Sequence, residues 1–126
     1  MSEEKPRLPL KSIFMANLIE GKRQFSRIKL VSPLRFQVRG KPEYDNSVID
    51  DISIGGLSFR NGKFIPPNTL LSLEMSVLSR ALRAVGRVAW VNNLPFSDRF
   101  KLGVEFLELE GKDKMFLEDY INFKTE

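Results

Sequence analysis

Apolar and polar residues alternate with a period of two along much of this chain of 126 residues. A period of two is the side-chain period of a β-strand, in which successive side chains point to opposite faces. The alternation begins near residue 32, and two other short apolar segments, 47–53 and 81–91, also have the composition of strands. Together the pattern predicts six strands, near residues 32–39, 47–53, 57–60, 71–76, 81–91 and 101–106.

Turn residues separate these predicted strands, and no helical pattern lies between any two of them. The turn signals are Gly55-Gly56, Asn61-Gly62, Pro66-Pro67 and Asn92-Asn93. Parallel pairing needs a crossover of a dozen or more residues, so connections this short imply antiparallel strands. Closing the sheet removes its exposed edges. We therefore predict a mainly β fold, a six-stranded antiparallel β-barrel of the split-barrel type.

The period changes to that of a helix at both ends of the chain. After Gly111, an apolar stripe predicts an amphipathic helix over about residues 111–124 that covers one end of the barrel, with a partner-binding helix as the alternative. Residues 10–18 also have apolar positions at helical spacing. We interpret residues 1–20 as an N-terminal extension: a helix packed on the barrel, a helix that binds a membrane or partner, or a disordered segment. Residues 21–126 form the domain.

Composition argues against an enzyme. The chain has no cysteine and no histidine, so disulfides, Ser-His-Asp and Cys-His chemistry are excluded and zinc loses its usual ligands. We expect neither catalysis nor a metal nor a cofactor. No apolar run reaches the roughly 18–20 residues that span a bilayer, and the polar N-terminus lacks the features of a signal peptide. A cytoplasmic location is the resulting expectation.

Charge is distributed unevenly along the chain. The net charge is +4, and residues 5–41 carry ten Lys or Arg against one acid, Glu20. Residues 104–126 carry seven acids against three lysines. A basic region attracts anionic ligands, although an ordinary solvated basic surface explains the asymmetry equally well.

Two short motifs carry the candidate chemistry. The first contains Arg23 and Arg27, four residues apart and ahead of the first predicted strand, with Lys22 beside them. On a loop, two guanidinium groups can wrap one ligand, because their planar forks bind phosphate bidentately and also match the O6/N7 edge of guanine. Alone, this spacing also fits an ordinary basic linker.

The second motif is Asp51-x-Ser53-x-x-Gly56, which runs from a predicted strand into a turn. Asp51 and Ser53 are two residues apart and share one strand face. Asp51 can accept hydrogen bonds from guanine N1 and N2 or orient an arginine, and Ser53 can donate to a phosphate oxygen. Gly56 permits a positive φ or a close backbone contact with a ligand. A tight β-turn with local side-chain hydrogen bonds is the purely structural interpretation.

Both motifs, in this order and around a six-stranded barrel, resemble those of the PilZ domain family, which binds the bacterial second messenger cyclic di-GMP. The resemblance covers about residues 21–124, and both motifs match in full. Residues 86–90 (Gly-Arg-Val-Ala-Trp) and 102–106 (Leu-Gly-Val-Glu-Phe) are similar to late strands of the family.

The resemblance implies a role for each motif residue in a non-catalytic signalling receptor. Arg23 and Arg27 would hold phosphates and guanine, Asp51 and Ser53 would contact a guanine and nearby polar atoms, and Gly56 would keep the turn open. Further candidates are Lys22, Gly55 and Trp90. Trp90 shares strand parity with Val88 and Ala84, which favours a core or barrel-end position, and stacking on a guanine is the alternative.

Two other functions also fit parts of the sequence. A PilZ-like adaptor that binds proteins but no nucleotide has the same fold, usually with broken motifs. A small basic nucleic-acid-binding barrel would use the basic N-terminal half, but the strands lack the run of interleaved aromatic and basic residues that forms a stacking platform. For the receptor, we expect a protein partner contacted through the N-terminal segment or a barrel face, without membrane insertion or nucleic acid.

Overall fold

The structure, a computed structural model, describes residues 26–125. The N-terminal extension, Lys22 and Arg23 lie outside the described residues, so the predictions for them stay predictions. The described chain folds into six strands followed by one helix: β1 (Ile28–Val38), β2 (Asp45–Ser53), β3 (Gly56–Asn61), β4 (Leu70–Val77), β5 (Arg80–Asn93), β6 (Phe100–Leu109) and α1 (Gly111–Thr125).

The six strands close into an antiparallel barrel in the order β1-β2-β3-β6-β5-β4, and the pairing of β1 with β4 completes the closure. The prediction of a six-stranded antiparallel barrel with a C-terminal helix is therefore confirmed. Four of the six pairings join strands that are consecutive in the chain, and the two-residue turn Leu78-Ser79 links β4 to β5 with positive φ at both residues. That backbone is typical of a type I′ hairpin, whose twist matches the twist of the strands.

β1 begins four residues earlier than the sequence predicted, at Ile28. Its pairing register with β2 shifts between Lys29 and Ser32. Exposure alternates without a break from Ile28 to Phe36, so the register shift does not interrupt the alternation of β1. The residue types hide it, because Val31 on the outer face is apolar and Ser32 on the inner face is polar. Val31 is accordingly exposed on the outside of the barrel.

One apolar core fills the interior of the barrel. Its largest fully buried side chains include Phe36 and Phe59, whose ring centroids lie 5.1 Å apart. Leu117, Tyr120 and Ile121 of α1 join this core, as the helical stripe predicted. Arg80 of β5 holds the start of the helix, because its guanidinium lies 3.1 Å from a carboxylate oxygen of Asp113 and 4.8 Å from the Phe116 ring centroid.

Candidate ligand-binding site

The two sequence motifs meet at the contact between Arg27 and Asp51. Arg27 directly precedes β1, and Asp51 lies on β2 opposite Lys29. The Arg27 Nη1 is 2.5 Å from the Asp51 Oδ1, and the two side chains are 13% and 28% exposed. The pair is therefore shielded from solvent, where a charge-assisted hydrogen bond is stronger than at an open surface. Of the two roles predicted for Asp51, this contact corresponds to orienting an arginine.

Ser53 closes the turn between β2 and β3. Its hydroxyl oxygen accepts a hydrogen bond from the Gly55 backbone N–H at 3.1 Å, and the residue is 1% exposed. The Gly55 carbonyl in turn accepts from the Phe106 N–H at 2.9 Å, which fastens the turn to β6. Serine hydroxyls commonly support turns in this way. The turn between β2 and β3 therefore contains the local side-chain hydrogen bond that a purely structural role of the motif predicts. Ser53 also lies on the same outer face as Asp51.

Of the two roles predicted for Gly56, a positive φ and a close backbone contact with a ligand, the structure does not show the first. The φ of Gly56 is not in the left-handed region. A Cβ at this position would lie 2.1 Å from the backbone oxygen of Val104 on β6. The residue is a glycine because β3 and β6 approach closely there, which is a recognised reason for glycine within a strand. Gly56 therefore sets the position of the turn against the barrel.

A row of outward-facing residues extends from Asp51 across three further strands. Asp51 is paired with Ser58 on β3, Ser58 with Gly103 on β6, and Gly103 with Trp90 on β5. Ser58 and Gly103 point outward because both flanking residues of each are core residues. Ser58 is nevertheless 1% exposed. Ser58 and Gly103 were not predicted as parts of this site, although the period-two pattern places Ser58 on the outer face.

Trp90 does not share a face with Val88, so the parity prediction is wrong. The β5–β6 register shifts between Val88 and Trp90, and the additional residue is Ala89. The bulge turns Trp90 outward, where its indole rests on Gly103: a Cβ at Gly103 would lie 2.2 Å from the Trp90 Nε1. One face of the indole is therefore covered by the barrel, and only the opposite face could stack on a base.

A second buried side chain on this outer face is Glu105. It lies on β6 between the core residues Val104 and Phe106, is paired with Gly56 and Arg87, and is 1% exposed. Within residues 26–125, no cluster of His, Cys, Asp or Glu could hold a metal ion. In the same range, no helix has the length and apolar character to cross a membrane.

Known proteins share the barrel fold of this chain. The PilZ domain family model matches residues 21–123. No curated protein matches the chain. Among solved structures, the chain is similar to the Bacillus subtilis inhibitor of motility MotI/DgrA, with a TM-score of 0.73 and 22% identity over 82% of this chain and 51% of that one.

Two further solved structures have the same fold. The PilZ domain of YcgR from Escherichia coli, solved with c-di-GMP, gives a TM-score of 0.64 and 12% identity over 79% of this chain and 88% of that one. The K. pneumonia MrkH–c-di-GMP complex gives 0.63 and 19% over 79% of this chain and 51% of that one. This chain thus spans about half the length of MotI/DgrA and of MrkH. At such identities the likeness establishes the fold. Because the family model covers most of the sequence, and Arg27 of the first motif contacts Asp51 of the second, the chain belongs to the PilZ domain family.

Proposed function

We propose that this protein is a cytoplasmic, non-catalytic receptor for cyclic di-GMP. The ligand-binding residues of the proposal are Arg23, Arg27, Asp51, Ser53 and Gly56. The observation that carries it is the contact between Arg27 and Asp51, which joins the two motifs across 24 residues of sequence. Membership of the PilZ family and the c-di-GMP in two structures of similar fold, those of YcgR and MrkH, support the same ligand.

The electrostatics of the site suit a dinucleotide with two phosphates. A guanidinium has five N–H donors, so Arg27 can bond Asp51 through Nη1 and present other donors to a phosphate. Asp51 fixes the orientation of that guanidinium, which lowers the conformational entropy lost when a ligand binds. Arg23 would supply the second cationic group from the segment ahead of Arg27.

Binding would become a signal through the segment that carries the arginines. An anionic ligand that bridges Arg23 and Arg27 to the turn of β2 and β3 would order residues 20–28 on the barrel. Residues 1–19 would then change position and present a different surface to a protein partner. Hydrogen exchange of residues 20–28 tests this step: we expect slower exchange with cyclic di-GMP, and equal exchange with and without it would contradict the mechanism.

Isothermal titration calorimetry tests the receptor assignment. We expect the wild-type protein to bind cyclic di-GMP with micromolar or tighter affinity, and the Arg27→Ala and Arg23→Ala proteins to bind roughly a hundredfold more weakly, because charge-assisted hydrogen bonds to a phosphate are lost. Arg83→Ala is the matched control, since that arginine is 81% exposed on the far side of the barrel. The molar ratio at the midpoint of the titration also gives one or two ligands per chain.

The titration separates the receptor from the alternatives. Arg27→Ala binding equal to wild type would place the ligand elsewhere. The absence of any binding would favour a protein-binding PilZ adaptor, and a mobility shift of single-stranded RNA or DNA would favour a nucleic-acid-binding barrel.

A further inference from the structure

Two buried polar atoms on the outer face of the barrel have no hydrogen-bond partner among residues 26–125. They are the Ser58 hydroxyl oxygen and the Trp90 Nε1. In native proteins the great majority of buried polar atoms are bonded, and an unbonded one costs free energy of folding. A sequence that keeps two of them on one face needs a reason other than stability.

Their location suggests that reason. Ser58 and Trp90 belong to the outer row that begins at Asp51, with only Gly103 between them. Neighbouring strands lie about 4.8 Å apart, so Trp90 is about 14 Å from Asp51 measured across the strands. A single phosphate cannot span that distance, whereas a cyclic dinucleotide with two bases can reach both ends of the row.

The chemistry of the two atoms narrows what they would bind. An indole N–H can only donate a hydrogen bond, and a hydroxyl can donate one as well. Two neutral donors match a ligand group with two acceptors. In a guanine dinucleotide such groups are the O6/N7 edge of the base and the oxygens of a phosphate. Adenine carries an N–H donor where guanine has O6. A dinucleotide of adenine therefore distinguishes a guanine acceptor from a phosphate acceptor.

Both atoms are shielded from solvent, so a ligand reaches them only if the groups around them move. Trp90 is the residue placed to do so: it is only partly buried, and its indole rests on a glycine without being bonded through Nε1. A bridging water is the competing occupant, because a buried water also satisfies unpaired polar atoms. The continuity of the row with Asp51 favours the ligand.

We propose that the Ser58 hydroxyl and the Trp90 Nε1 form a second, uncharged part of the ligand site, which donates hydrogen bonds to guanine O6/N7 or to phosphate oxygens of the bound dinucleotide. This inference rests on the proposed function. It extends the site beyond the two motifs, from β2 across β3 and β6 to β5.

The test measures affinity and stability in the same variants of the full chain. Calorimetry with cyclic di-GMP compares wild type with Ser58→Ala and Trp90→Phe, which remove one hydrogen-bond donor each, while Trp90→Phe also removes the contact of the larger ring with Gly103. Ser72→Ala is the matched control, a serine on the outer face of β4 whose hydroxyl bonds the exposed Arg39. Cyclic di-AMP, which has the same phosphates and lacks the guanine O6, is the second probe. Thermal unfolding of every variant is recorded without ligand.

We expect each donor deletion to weaken cyclic di-GMP binding about tenfold. The melting temperature of Ser58→Ala should stay equal or rise, and Ser72→Ala should change neither affinity nor melting temperature. Equal weakening of both dinucleotides would identify phosphate as the acceptor, and weakening of cyclic di-GMP alone would identify guanine. Unchanged affinity in both variants, with wild-type binding intact, would overturn this inference and leave the receptor assignment standing. A lower melting temperature of Ser58→Ala would also overturn it, because the hydroxyl would then be bonded within the protein. No wild-type binding would overturn both.

Discussion

The outward-facing side chains on two sides of this barrel differ in charge and in exposure to solvent. On the side of β1, β4 and β5, Arg35, Glu74 and Arg83 form a ladder of opposite charges, with N–O distances of 3.4 and 3.6 Å. Their side chains are 50%, 34% and 81% exposed. On the side of β2, β3 and β6, the outward residues nearest the β2–β3 turn are small and buried, as Ser53 and Ser58 are at 1% exposure each, whereas Arg60 and Lys101 lie further from the turn and pair with Asp50.

The charged side keeps the surface hydrophilic, whereas the buried outward side carries the motif residues. A solvated charge ladder keeps a surface hydrophilic and contributes little to stability, since exposed ion pairs are worth about 0–1 kcal/mol. A buried outward face tolerates neither added volume nor lost partners. Both motif residues of β2 that the family resemblance singled out lie on this second face. We therefore expect substitutions on the two sides to have unequal effects, and three experiments test that inequality.

The largest effect is expected from Gly56→Ala. The added Cβ would lie 2.1 Å from the Val104 backbone oxygen, and no side-chain rotation can relieve a contact with backbone. Separation of β3 from β6 should lower the free energy of unfolding by about 3 kcal/mol in urea titrations followed by circular dichroism. Gly111→Ala is the control: nothing lies within 4 Å of a Cβ there, and we expect a change below about 1 kcal/mol. Equal stability of the two variants would refute the close strand approach.

An intermediate effect is expected from Gly103→Ala. The new methyl group would meet the Trp90 indole, which is a side chain and can move aside. Stability should fall by about 1–2 kcal/mol. Trp90 is the single tryptophan of the chain, so the emission maximum should also shift to longer wavelength as the indole becomes solvated.

A double-mutant cycle isolates this contact. In a Trp90→Ala background, the cost of Gly103→Ala should largely disappear, because the group that the methyl meets has been removed. Additive costs in the cycle would mean that Gly103 is constrained by something other than the indole.

The smallest effects compare the two kinds of ion pair. Asp51→Asn should cost about 1 kcal/mol, since it takes a charged partner from an arginine that is 13% exposed. Glu74→Gln, on the exposed ladder, should cost less than about 0.5 kcal/mol. Raising the salt concentration should reduce the second cost more than the first, because exposed pairs are screened more strongly. Equal costs that respond equally to salt would show that the two sides of the barrel do not differ electrostatically.

The strand pattern and the core could be predicted from the sequence because period-two alternation reports burial directly. The helix was predictable for the same reason, since its apolar stripe is buried in the core. Positions next to bulges could not be predicted. The extra residues at Asp50 of β2 and at Ala89 of β5 shift the alternation, and no single residue type marks a bulge. Trp90 was placed on the wrong face for this reason.

The motif residues were predictable, but their local contacts were not. Asp51 and Ser53 could be placed on one face from their spacing, whereas the contact of Asp51 with Arg27 depends on how β1 pairs with β2. The role of Gly56 depends on Val104, which lies 48 positions later in the chain. A single sequence carries no direct information about such distant neighbours.

The bulge at Ala89 has a further consequence, which concerns how this protein can change over evolutionary time. Before it, β5 contributes Ala84 and Val88 to the core; after it, the same strand presents Trp90 to the outer row. Because one extra residue reverses the face, selection for folding and selection for recognition act on different positions of a single strand. Descendants of this sequence can therefore alter what the outer row binds while the positions that fill the barrel stay the same.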